Sequence, residues 1–380
     1  MIRFAQNTPQ DTLQVRKIWA ECFGDPPAWL EWYFREVYEP ENTLFYEVDG
    51  HLASHLQMRF FDLSLCGRTV RAGYLAGVAT YPQYRKQGFS RALIEKAFAH
   101  LRAGGAEFCF LVPTVFRFYE RLGFATCYDK TLYQINHHEL PLPADEPWQQ
   151  AGTDSGLVLD AAYRYALRGD NGYVLRSEKD WRIFLQDNID NGGAECRFLQ
   201  NGKDCGYFLA RRNAEENKLF VIEYGYTSLD ICTKVLRQIA QAAQSVQKLE
   251  LLVPPGDSMY INFCDCRTAR SVQPYAMARV LSAEYALSLC AKDFCGSVRI
   301  AVADPLIAEN NGVFTVENNA VSRGGTADIQ LDIQTLAMLV WGYIDWNAAC
   351  DMRLIRGDIR KAEGLFQIQK NYLDNAVLAF

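Results

Sequence analysis

The sequence predicts a mixed α/β (α+β) chain of two or three domains. Its 380 residues are too many for one ordinary domain core. Strand-like and helix-like stretches follow one another along it, and Tyr74 to Leu101 shows the pattern most sharply. There Leu75, Ala76, Gly77, Val78, Ala79 and Thr80 read as a strand. Tyr81-Pro82 ends it, because proline has no N–H to give to a ladder. From Gly88 onward, Leu93, Ile94, Ala97, Phe98 and Leu101 recur at helical spacing, and Gly104-Gly105 marks the stop. Between strand and helix lies Arg85-Lys86-Gln87-Gly88-Phe89-Ser90. A loop turning into a helix start points several backbone N–H groups at one place, where the helix dipole also favours negative charge. With Arg85, Lys86 and Arg91 alongside, the stretch suits a pyrophosphate.

A second segment follows it. Phe108 to Val112 reads as a buried strand, then come Pro113-Thr114 and the aromatic turn Phe116-Arg117-Phe118-Tyr119-Glu120-Arg121-Leu122-Gly123-Phe124. Taken singly, the two segments have plain readings: a surface loop with a chance glycine, and a tyrosine packed in a helix turn. Together they carry a resemblance. Arg85-x-x-Gly88-x-Ser90 resembles the Gln/Arg-x-x-Gly-x-Gly/Ala signature of the GNAT superfamily of acetyl-CoA-dependent N-acetyltransferases. Ser90 departs from Gly or Ala at the third position, but it is still small enough for close approach of a pyrophosphate. The aromatic-Tyr-x-x-Leu-Gly-Phe string resembles the end of the GNAT core, where a tyrosine lies beside the thioester sulfur. Tyr119 is a sensible acid there, since a phenol pKa near ~10 is close to that of a departing thiol.

Composition narrows the remaining classes. Apolar content of 49% with 22% charged residues is globular, and a net charge of -6 with no basic tract argues against a nucleic-acid partner. Met1 to Thr12 is mixed and polar, and no uninterrupted apolar run is long enough to span a membrane, so a cytoplasmic protein is expected. The 12 cysteines are scattered, mostly in apolar runs where a thiol behaves as a small hydrophobe. Cys264-Asp265-Cys266 is the one tight pair and lacks a second pair at zinc-finger spacing. Disulfides are not expected in a reducing compartment. The 5 histidines all precede residue 139, without a ligand pattern, and His137-His138 reads as a strand end. No metal is expected.

In chain order, a first strand at Ile2 to Phe4 and a helix near Thr12 to Cys22 lead to the breaker-rich Phe23-Gly24-Asp25-Pro26-Pro27-Ala28-Trp29. A second helix carries Trp32, Tyr33 and Phe34. In the GNAT resemblance this pair of helices lies over the acceptor site, which makes Asp25, Trp29 and Trp32 candidates for its wall. An acid there would hold a cationic amine, and aromatics would add cation–π contact. The plainer alternative is core aromatics and a capping aspartate. Strands Asn42 to Val48 and His51 to Leu63 flank an Asp49-Gly50 hairpin signal, and Cys66-Gly67-Arg68 turns into the motif strand.

Proline-rich Pro141 to Pro147 marks a linker, so boundaries are expected at residues 1–140, 141–275 and 276–380. The middle part reads as a helix near Leu157 to Leu167, strands at Ala194–Leu199, Gly206–Arg211 and Leu219–Tyr226, a helix Leu229–Gln247 and a strand Leu249–Val253. That order echoes the first part. Yet Tyr224-Gly225-Tyr226-Thr227-Ser228-Leu229-Asp230 stands where a pyrophosphate loop would be, and Asp230 would repel phosphate. This predicts a degenerate GNAT-like repeat that binds no coenzyme. The last part reads as a strand Val298–Val302, a hairpin at Glu309-Asn310-Asn311-Gly312, strands Val313–Glu317 and Ala327–Asp332, and an apolar helix Ile333–Tyr343. It resembles a sterol-carrier-protein-like domain, with Leu339 and Trp341 read as ordinary core.

Across essentially the whole chain the arrangement resembles the enhanced intracellular survival (Eis) acetyltransferases. Val78-Ala79-Thr80-x-Pro82-x-x-Arg85, Arg176-Ser177-x-x-x-Trp181 and the terminal Phe380 carry that likeness. The resemblance implies acetyl-CoA as co-substrate, with Val78, Ala79 and Thr80 along the pantetheine arm. It implies Arg85, Lys86, Gln87, Gly88, Phe89, Ser90 and Arg91 at the pyrophosphate, and Thr114 nearby. It implies Tyr119 as general acid and the Phe380 carboxylate as general base. A carboxylate with an ordinary pKa near ~3.5 is a weak base for an amine near ~10, so desolvation or a relaying water must help it. A hexamer acting on a small-molecule amine or a lysine-bearing peptide is implied, with the particular acceptor open. A non-catalytic acyl-CoA or lipid-binding protein, or transfer of a longer acyl group, stands as the alternative.

Overall fold

The computed structural model describes residues 1–135, 141–142, 147–257 and 268–373. Contacts divide them into two compact units: residues 1–127 with 275–369, and the described residues of 128–274 with 370–373.

The first unit begins with β1 (Ile2–Phe4), α1 (Pro9–Phe23), α2 (Pro27–Glu36), β2 (Thr43–Val48), β3 (His51–Leu65) and β4 (Arg68–Thr80). Next come α3 (Phe89–Ala103), β5 (Phe108–Leu111) and α4 (Phe116–Glu120). Thr8 caps α1 by accepting from the Asp11 N–H, and Pro9 follows in the first turn, where its missing donor costs nothing. β1 to β4 form an antiparallel ladder. Its two tight turns, Asp49-Gly50 and Cys66-Gly67, hold all four residues at positive φ, the pattern that suits strand twist. β5 then pairs parallel to β4 across the crossover helix α3. Leu93, Ile94, Ala97, Phe98 and Leu101 of α3 are all buried, the four larger side chains contributing about 1.5–3 kcal/mol of burial energy each.

Two irregularities shape the end of β4. Its pairing with β5 covers Ala72–Tyr74 against Phe108–Phe110, while β4 itself continues to Thr80. On its other side, the register with β3 shifts between His55 and Gln57, a bulge that bends the strand. On the β5 side, the last residues of β4 therefore run beyond the paired length, while β3 pairs with them as far as Thr80.

The same unit takes up the C-terminal segment. Met277–Val280 of strand Ala269–Val280 pair antiparallel with β5. Helix Ala283–Cys290 follows, then a sheet in the order Ala320–Arg323, Gly312–Glu317, Ser297–Ala303, Ile329–Asp332, Arg356–Gly357. Helix Ile333–Val340 buries Leu339, and Trp341 beside it is also buried, 5.0 Å edge-on from Phe108. The hairpin expected at Glu309–Gly312 takes another form. Residues 304–311 make a longer link with a 3-10 turn at Ala308–Asn310, held by Asn310 Nδ2 donating to Asp304 Oδ2 (2.9 Å) and Asn311 Nδ2 to the Asp304 carbonyl (2.8 Å). The tight turn is instead at Asn318-Asn319, φ 51° and 64°, which leads into the unanticipated strand Ala320–Arg323.

The second unit has helices Gly156–Ala166 and Glu178–Leu185, the latter opened by a capping box between Ser177 and Asp180. Strands Glu195–Asn201, Asp204–Asn213 and Lys218–Tyr226 form an antiparallel meander. Helix Leu229–Ala243 crosses over to strand Lys248–Val253, which pairs parallel to Lys218–Val221. In its core Arg176 and Glu223 form an ion pair, with Nη1–Oε1 at 2.9 Å, and the Tyr207 hydroxyl donates to the same carboxylate at 2.7 Å.

Candidate active site

At the end of β4, past its pairing with β5, opens a cleft of about 550 Å³, a volume in the range of small-ligand sites. Val78, Ala79 and Thr80 line it, as do Arg85, Lys86, Gly88, Phe89, Ser90 and Arg91 from the loop and first turn of α3. Tyr119 of α4 completes the set. Nine of the eleven residues expected along a coenzyme thus share one cavity with the expected acid.

The local reasons are physical. Lys86 (φ 63°) and Gly88 (φ 83°) alternate with ordinary backbone, a pattern that gathers N–H groups into an anion-holding concavity. Gly88 is also the residue preceding α3, and a side chain there would strain the left-handed backbone. Phe89 anchors the helix start by stacking on Tyr46, ring centroids 4.1 Å apart. Arg85, Lys86 and Arg91 are exposed. The Arg85 Nε donates to the Thr80 carbonyl at 3.2 Å, and Arg91 pairs with Glu95 one turn along. Ser90 has a definite role: its hydroxyl is 2.7 Å from that of Thr80, which is 2.8 Å from that of Ser54. The departure from the signature therefore ties the helix start to the end of β4.

Tyr119 is buried, with Phe118 and Phe124 edge-on at 4.9 and 5.8 Å. Burial pushes its phenol up to about 12, with the Cys109 thiol adding to the shift. It therefore holds its proton at neutral pH. Its position is set by the next turn, where Leu122 and Phe124 N–H groups both donate to the Tyr119 carbonyl. Gly123 sits there at φ 82°, against the Arg279 guanidinium, and a Cβ would collide with it. Arg279 donates to the Gly123 carbonyl (3.2 Å) and to Asp304 (2.8 Å). The glycine of the Leu-Gly-Phe string is thus required by a close approach.

Other candidates lie elsewhere. Gln87 and Thr114 are exposed and do not line the cleft. Trp32 is buried, and Trp29 stacks on Tyr33 with centroids 4.9 Å apart. The Asp25 carboxylate accepts from the Trp19 indole N–H at 2.8 Å, and none of Asp25, Trp29 and Trp32 lines the cleft. Phe380, His137-His138, Cys264, Cys266 and Pro143–Glu146 lie outside the described residues. Sequence reasoning passed over Cys22, Phe23, Tyr84, Phe118 and Arg121, which do line it. Arg121, two residues beyond Tyr119, and Tyr84, inside the basic loop, could have been chosen by their nearness to the motifs. Among the described residues no cluster of His, Cys, Asp and Glu is arranged to hold a metal, and no helix is long and apolar enough to cross a membrane.

Residues 3–127 match the family model described as an acetyltransferase (GNAT) domain, and residues 283–374 match a sterol carrier protein domain. No curated protein matches the chain. Among solved structures it is similar to a GCN5-related N-acetyltransferase from Anabaena variabilis, at 17% identity and TM-score 0.86 over 98% of this chain and 99% of that one. It is similar to Eis1 from Mycobacterium abscessus at 19% identity and TM-score 0.82, again over 98% and 99%. A GCN5-related N-acetyltransferase from Kribbella flavida gives 18% identity and TM-score 0.82 over 98% and 97%. At such identities the likeness is one of fold.

Proposed function

We propose that this chain, which carries a GNAT acetyltransferase domain and a sterol carrier protein domain and shares the fold of Eis1, moves the acetyl group of acetyl-CoA to a primary amine. The observation that carries this reading is that one cleft contains both a basic helix-start loop and a buried phenol that keeps its proton. The loop of Arg85, Lys86 and Gly88 with Arg91 offers N–H groups and positive charge to a pyrophosphate. Val78–Thr80, past the part of β4 paired with β5, line the same cleft as Tyr119 and suit an amide-bearing arm. In the proposed reaction a neutral amine attacks the thioester carbonyl directly. Tyr119 donates its proton to the departing thiolate, and the terminal carboxylate of Phe380 takes the amine proton. The acceptor is a small-molecule amine or a lysine-bearing peptide. A cytoplasmic hexamer belongs to the same proposal.

The test is thiol release from acetyl-CoA across a panel of polyamines, aminoglycosides, lysine-containing peptides and arylalkylamines, with a variant lacking Phe380 alongside. Amine-dependent release, lost without Phe380, is expected. Release undiminished without Phe380 would remove the terminal base from the mechanism. No release with any amine, while acetyl-CoA still binds, would point to a binding protein instead. Light scattering on the same preparation reads the assembly.

A further inference from the structure

Two thiols meet in the first unit at a second cavity, about 310 Å³, lined by Cys66, Cys290, Lys292, Val340, Leu365 and Gln369 among others. Cys66 opens the two-residue turn between β3 and β4, at φ 50°, and Cys290 is the last residue of helix Ala283–Cys290. The side chains hydrogen-bond to each other, and Cys66 Sγ also donates to the Val340 carbonyl at 3.4 Å. Both cysteines are only partly buried, whereas Cys109, Cys127, Cys196, Cys205 and Cys232 are packed into cores. Cysteines that merely fill space have no need of a thiol neighbour and a cavity.

We propose that Cys66 and Cys290 form a redox-active dithiol that closes to a reversible disulfide by exchange with a low-molecular-weight disulfide. In the first step the Cys66 thiolate attacks one sulfur of the reagent, RSSR, and releases one RS⁻. The Cys290 thiol then gives its proton to solvent, attacks Cys66 Sγ and releases the second RS⁻. Two protein thiols are oxidised by two electrons, and RSSR is reduced to two thiols.

The surroundings set the order of the two steps. The bond from Cys290 holds the Cys66 thiol below its ordinary range, helped by the nearby Arg68 charge against the cost of burial. The same bond and burial push Cys290 well up. Cys66 is therefore the attacking sulfur and Cys290 the resolving one.

The experiment incubates the reduced full-length protein with glutathione disulfide, blocks remaining thiols with a maleimide, and maps unreduced peptides by mass spectrometry. Exposed Cys295 serves as the internal control for reagent access. The expected result is a Cys66–Cys290 cross-linked peptide pair and loss of these two thiols from maleimide labelling, beyond the glutathionylated control Cys295, all reversed by dithiothreitol. Cys290→Ser should stop at a stable mixed disulfide on Cys66, and Cys66→Ser should leave Cys290 unmodified. The proposal is overturned if wild-type Cys66 and Cys290 stay maleimide-reactive while Cys295 is glutathionylated, or if a mixed disulfide on Cys66 persists without closing. Neither outcome bears on acetyl transfer.

Discussion

The Ser90 hydroxyl lies 2.7 Å from that of Thr80, joining the first turn of α3 to the last residue of β4. The signature's usual Gly or Ala cannot make this bond. Ser90→Ala removes it but leaves Thr80 bonded to Ser54 at 2.8 Å. The expected loss is about 1 kcal/mol in urea denaturation, with a raised KM for acetyl-CoA. Unchanged stability would mean that the hydroxyls contribute nothing net.

Arg85 and Lys86 are exposed, so their pull on a pyrophosphate must be sensitive to salt. The double variant Arg85→Ala, Lys86→Ala is expected to raise the acetyl-CoA KM roughly tenfold at low ionic strength, as for lost charge-assisted bonds. kcat should stay near wild type, and the KM difference should shrink in high salt. A fall in kcat at constant KM would place these residues in the chemistry instead.

Gly123→Ala tests the packing behind Tyr119. A Cβ there meets the Arg279 guanidinium, on a backbone at φ 82° that disfavours any side chain. The backbone penalty alone is about 1–2 kcal/mol, and displacing Arg279 also disturbs its fully buried pair with Asp304. Thermal unfolding should show a loss of several °C, and Tyr119, whose carbonyl caps this turn, should lose its alignment.

Much of this is readable in the chain, and what is not readable shares a cause. Strand, loop and helix at residues 74–101 were legible because period, proline and glycine are local signals. Gly123 was visible as part of a string, but its reason is Arg279, a residue far along the chain. Asp25 admits two readings in the sequence, an amine-holding acid or a capping carboxylate, and in the structure its carboxylate accepts from the Trp19 indole N–H. Residue type cannot tell which partner a side chain finds. Likewise, nothing local shows that Met277–Val280 pair with β5 in the first unit, because such pairing is non-local.

His55 makes the protein sensitive to acid. Its ring is buried 6.1 Å from Trp19, and both ring nitrogens are without a hydrogen-bond partner among the described residues. Burial lowers its pKa to about 3. A depressed folded pKa gives stability that is complete above the unfolded value, about 6.5, and that is lost as pH falls from there toward 3. At pH 4 the linked loss is on the order of 3 kcal/mol. His55→Leu should therefore move the acid-unfolding midpoint, followed by tryptophan fluorescence, to lower pH. A midpoint shifted upward or unchanged would contradict this.

The central claim is that Tyr119 supplies the proton to the leaving thiolate, and the most direct test is kcat of Tyr119→Phe at saturating acetyl-CoA and amine, followed against pH. The phenol is raised to about 12, so its folded form stays protonated where a free tyrosine, near ~10, begins to ionise. The account predicts a fall of roughly 10²–10⁴ in kcat for the variant, with acetyl-CoA affinity kept. It also predicts no falling limb in the wild-type profile from loss of this proton below about pH 10. Wild-type kcat in Tyr119→Phe would contradict the claim.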